Sequence, residues 1–161
     1  MQQIVRSILD QARSTAARRA GQADMACGLV AALRRLRAFV GASSGDSGSA
    51  EFDDAVRGHV LKRGMVETAR IGRPPAPVEI PASGPQAAFA SAVLEDAVMS
   101  CLGFSSVAPA SVLVALCTSA LIEALIDTLG GIPDPIALVA QLRPEDGEGA
   151  MLATLPSLAL Q

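Results

Sequence analysis

Apolar residues recur at helical spacing through most of the chain. Ile4, Val5, Ile8, Leu9, Ala12 and Ala16 fall on one side of a segment whose other side carries Arg6, Asp10, Arg13 and Arg18. That pattern predicts a helix from about Gln3 to Arg19, broken at Gly21-Gln22. Ala26, Leu29, Val30, Leu33, Leu36 and Val40 predict a second helix from about Asp24, a candidate N-cap, to Val40. Arg34, Arg35 and Arg37 then turn towards solvent, and the two helices are expected to form a hairpin or one long rod weakened at Gly21. Residues 41–49, all Gly, Ala, Ser or Asp, read as a flexible linker. A third helix from about Ala50 to Arg70 is expected to bury Phe52, Ala55, Val56 and Val60, with Met65 and Val66 continuing that side. Gly58 and Gly64 each weaken it by nearly ~1 kcal/mol relative to Ala.

The pattern changes at residues 72–85, where prolines stand at 74, 75, 77, 81 and 85. Such density forbids a helix and predicts an extended crossover, and it marks the best boundary in the chain. Beyond it, a fourth helix is expected from Pro85 to Leu102. A fifth runs from about Ser111 to Leu129, apolar on nearly every face and closed by Gly130-Gly131. All-round apolarity predicts a central helix or one that feeds an oligomer interface. A short sixth starts at Asp134-Pro135, an N-cap followed by Pro at the first position, and ends near Leu142. An acidic loop leads to an apolar tail with Met151, Leu152, Leu155, Leu158 and Leu160.

Composition supports an all-α bundle of five to six helices. Of 161 residues, half are apolar but only 2 % aromatic, and Ala and Leu dominate. Those two favour helix, whereas sheets draw on β-branched and aromatic residues. With no Trp or Tyr there is no stacking platform for reading RNA. The net charge of −3 conceals two unlike parts: a basic helical half, residues 1–71, and an acidic, apolar half, residues 86–161. The simplest account sets the two against each other in one fold. Cys27, Cys101 and Cys117 are widely spaced and lie in apolar runs, so reduced core thiols are expected. The odd count and the absence of a signal-like N-terminus point to a cytoplasmic protein. No charge occurs from Ala97 through Ile122, but Gly103 to Pro109 interrupts the stretch with turn formers. Burying Glu123 and Asp127 in lipid would cost roughly 5 kcal/mol, so a membrane span is disfavoured.

Few residues carry chemistry. His59-Val60-Leu61-Lys62-Arg63-Gly64 resembles the His-x-Leu-Lys-Gly core of histidine phosphotransfer domains, which are helical bundles. The resemblance covers six residues, and Arg63 stands where that family has Gly. It implies His59 as phosphoacceptor and Lys62 as its charge partner. Gly45-Asp46-Ser47-Gly48 matches the nucleophile tetrad of chymotrypsin-like proteases, yet it lies in a Ser/Gly run and the only His is on a helix. Glu95-Asp96 and the Glu123/Asp127 pair lack the Glu-x-x-His partners of di-metal bundles, so no metal or other cofactor is expected. Arg13, Arg18, Arg19, Arg34, Arg35 and Arg37 would line the outside of a hairpin of the first two helices. They suit an acidic protein better than nucleic acid, given a pI near 5.1. The expectation is a non-enzymatic protein-interaction module, with a protein partner or a second copy engaging these arginines and the tail residues Met151, Leu152, Leu155 and Leu158. Phosphotransfer through His59 and nucleic-acid binding through the arginines are the alternatives.

Overall fold

The computed structural model describes residues 1–143; the tail residues Met151, Leu152, Leu155, Leu158 and Leu160 lie outside the described residues. Among those described, five α-helices and no β-strand are present, an all-α bundle. Helix α1 (Gln2–Ala17) buries Val5, Leu9, Ala12 and Ala16 of the predicted stripe, while Ile8 is half-buried and Ile4 exposed. Helix α2 (Gln22–Ile71) is the longest and is broken once, at Gly45. Helix α3 (Ala87–Leu102) continues into a 3-10 turn (Gly103–Ser106). Helix α4 (Ala110–Leu129) ends in a left-handed Gly130. Helix α5 (Pro135–Leu142) starts where expected, with the Asp134 carboxylate accepting from the Ala137 amide.

The region expected to be a flexible linker is helical on both sides of a single residue. Gly45 takes φ 69° and ψ −157°, which only glycine adopts freely, and the chain turns back there. Sixteen residues of straight helix span about 24 Å, yet the Arg37 and Asp53 side chains meet at 2.8 Å. The two arms therefore form a hairpin. A Cβ on Gly48 would stand 2.5 Å from Ser44 Cβ, so this glycine serves close approach rather than flexibility. Ser43 Oγ donates to the Phe39 and Val40 carbonyls, and Ser47 Oγ to that of Ser44, giving partners to hydroxyls that would otherwise compete with the helix.

The first arm of α2, rather than α4, is the hub. Every residue from Asp24 to Leu33 is buried except the half-buried Cys27, because its Ala and Gly positions let α3, α4 and α5 close in. A Cβ on Gly28 would lie 3.0 Å from both Ala90 Cβ and Leu94 Cδ1 of α3. Helix α4 buries Leu113, Leu121, Ile122 and Leu125, but its first half leaves Val112 and Ala115 exposed. Helix α1 packs chiefly on α3 and α4, so α1 and α2 do not make the hairpin that adjacency suggests. Asp24 does not cap α2 either. Its buried carboxylate accepts from the Gly84 and Gln86 amides at 2.6 and 3.0 Å, which holds the start of α3. Residues 72–86 carry no helix; the Val78 amide donates to the Ile132 carbonyl, and the Cys27 thiol to that of Pro81.

The buried side chains form one cluster that runs from Val5 to Leu142. Two segments in it, Ala87–Ser106 and Ala110–Leu129, are long and apolar enough to cross a membrane. A core helix has the same composition, and both pack here against the charged α1 and α2.

Candidate functional site

A largely apolar concavity lies between the α2 hairpin and the first half of α4. It has a volume of about 500 Å³. Phe39, Val40 and Phe52 from the hairpin and Val114 from α4 supply its large apolar surface. Small residues make the walls: Ala55, Ala110, Ala115 and a rim of serines that includes Ser43 and Ser111. The hydroxyl of Thr118 in the wall already donates to the Val114 carbonyl at 2.7 Å. The sequence builds this groove by pairing a bulky stripe on the hairpin with alanine and serine on α4, which cannot fill the space between them.

An ion cluster lies next to one end of the groove. Glu123 Oε2 lies 2.9 Å from His59 Nε2 and accepts a hydrogen bond from Arg63 Nε, also at 2.9 Å. His59 lies about two turns beyond Phe52 on the same side of α2, which turns its ring towards α4. The Nε2 atom of His59 is thus engaged by a carboxylate, whose negative charge would repel an incoming phosphoryl group. Lys62 is exposed one turn on.

The six arginines read as one face are dispersed. Arg13 bonds Asp127 of α4 at 3.0 Å, and Arg19 stacks 4.8 Å over the Phe89 ring of α3. Arg34 donates to the Gln141 carbonyl of α5, and Arg37 forms a two-pronged pair with Asp53 of the second α2 arm. Only Arg18 and Arg35 are exposed without a side-chain partner among the described residues. Four of the six therefore link elements within the bundle. Glu123 and Asp127, expected at a wet edge, are exposed but engaged by these same contacts. No group of His, Cys, Asp and Glu suited to a metal occurs among the described residues.

A larger hollow of about 620 Å³ lies where α1 ends and α2 begins, but it is wide open and its Arg13 is already paired with Asp127. Sequence reasoning missed the groove. A signal for it exists in the near-symmetry about Gly45: Phe39 and Phe52 flank it almost equally, and Arg37 and Asp53 stand at equal distance with opposite charge. Comparison with protein-family models, curated proteins and solved structures finds no match for this chain.

Proposed function

We propose that the protein is a non-enzymatic interaction module, acting in the cytoplasm without a cofactor, whose groove between α2 and α4 receives an amphipathic helix of a partner protein. The observation that carries this reading is the groove's construction: a large apolar floor, small walls and a serine rim. Ala and Ser walls leave depth that a partner's Leu or Phe side chains fill, as knobs fill holes between packed helices. The serines can bond the partner's polar flank or stay hydrated, which suits a surface that is exposed before binding. The groove is lined as well by the exposed Glu51, and its one imidazole, His59, is held by Glu123.

Ala115→Trp fills the groove from an exposed position and spares the core. Capture from the native cell should recover a partner with the wild-type chain and with Ile136→Ala, a change on the remote α5. The same partner should be lost with Ala115→Trp at an unchanged melting temperature. Equal recovery by all three chains would contradict the reading. Release of an apolar small molecule from the purified protein, seen by native mass spectrometry, would replace the helix with a lipid-like ligand.

A further inference from the structure

The last turns of α2 stand clear of the bundle. No residue from Leu61 to Pro77 is buried. Leu61 is 53 % exposed, and Met65 and Val66, which sequence spacing placed on the buried side, are 72 % and 52 % exposed. At about 100° per residue, these three fall with Lys62 and Ala69 in one arc of about 140°. Val56 and Val60, both buried, mark the side that meets the bundle, across the helix from that arc.

Cations frame the arc. Lys62 lies within it, Arg57 borders one edge, Arg63 and Arg70 border the other, and Arg73 follows just past the end of the helix. The acids turn elsewhere. Glu67 stands on the same side as Val60 and is bound to Arg70, while Glu123 holds His59 and Arg63 on the α4 side. On the outer side of α2 the nearest acid is Asp54, about two turns before Leu61 and already paired with Arg57. Lys62 and Arg73 are exposed and have no ion partner among the described residues.

We propose that this face of α2 docks on a membrane surface rich in anionic lipid. An exposed apolar arc flanked by cations, with its acid on the opposite side, is the pattern of a helix that lies in the headgroup layer. Leu61, Met65 and Val66 enter the acyl boundary, while Arg57, Lys62, Arg70 and Arg73 meet the lipid phosphates and carboxylates. Each free cation held near such a surface strengthens binding by about fivefold. Exposed Leu, Met and Val favour lipid over nucleic acid, whose phosphates give them no partner. Like charge across the arc disfavours a second copy. The contact leaves the bundle folded and needs no spanning helix. The surface is separate from the groove, and the two readings stand or fall apart.

Flotation of the full chain with lipid vesicles tests it. Vesicles of equal parts phosphatidylserine and phosphatidylcholine should bind the wild-type chain about tenfold or more tightly than vesicles of phosphatidylcholine alone. Leu61→Ser with Met65→Ser should weaken that binding by about tenfold, and so should Lys62→Gln with Arg73→Gln. All four side chains are exposed, so both variants should keep the wild-type melting temperature. Ile136→Ser, an exposed change on the remote α5, should bind as the wild type does. Equal binding by all four chains, or by the wild type to both vesicles, would overturn the proposal. So would a wild-type chain that stays off both vesicles. Retention on a poly-glutamate resin would then assign the face to an acidic protein, and a dimer broken by Leu61→Ser with Met65→Ser would assign it to a second copy.

Discussion

Asp53 and Asp127 are both carboxylates gripped by arginine, and their burial decides what each is worth. The Asp53 side chain is 4 % exposed and is held by both prongs of Arg37, whereas that of Asp127 is 78 % exposed. Arg37→Ala leaves a buried charge with only the longer contact to Arg143. It should destabilise the fold by about 3 kcal/mol, read from urea unfolding. Asp127→Asn loses a pair screened by water and should cost under about 1 kcal/mol. Arg37 reads in the sequence as one of a solvent-facing trio, because helical spacing says nothing of a partner sixteen residues away across a turn. The cysteines add a pH dependence. Burial, with Asp24 nearby, raises the Cys27 thiol above its ordinary range. In the Cys101–Cys117 pair the shared hydrogen bond raises Cys117 and lowers Cys101, so their contributions oppose each other and the dependence rests on Cys27. Folded Cys27 keeps a proton that the unfolded chain releases from about pH 8.5 upward, so its contribution to stability should be level at neutral pH and fall as pH rises further. Thermal melts from neutral pH to pH 10.5 check this, and Cys27→Ala should flatten the decline.

At the scale of elements, termini with chemical markers were legible. Asp134-Pro135 opens α5 and Gly130 closes α4 as their residue types require. Val5, Leu9, Ala12 and Ala16 of the α1 stripe are buried as their spacing predicts, but Ile4, at its edge, is exposed. Residues 41–49 read as a linker but fold as a hairpin, because glycine and serine signal flexibility by composition and close packing only by context. Gly45 is the one position there with positive φ, so Gly45→Ala should cost about 1–2 kcal/mol. Gly48→Ala should cost at least as much, because its Cβ would press on Ser44 where the arms meet. A linker would tolerate both changes, so urea unfolding of the pair separates hairpin from linker. Asp24 shows the same limit. Its place near a helix start reads as a cap, yet its bonds go to amides sixty and sixty-two residues on. The α2–α4 groove was illegible for a related reason: it is the space that the two α2 arms and α4 leave between them, and no segment alone encodes it.

Across the whole molecule, the unequal charge of the two sequence halves is drawn into contacts between them. Arg13 meets Asp127, His59 and Arg63 meet Glu123, and Arg143, the one cation beyond residue 73, approaches Asp53. Of these, the Glu123 contacts tie the second α2 arm to α4 beside the groove, and Arg13 with Asp127 ties α1 to α4. The groove's docking role rests on what the exposed first half of α4 touches in the cell. A photo-reactive phenylalanine analogue placed at Ser111, on the groove rim, reports that contact directly when the full chain is irradiated in its native cell. The account predicts one discrete covalent adduct to a partner protein from Ser111, and none from the same analogue at Ile136 on α5. Adducts of equal yield from both positions, or none from Ser111, would contradict it.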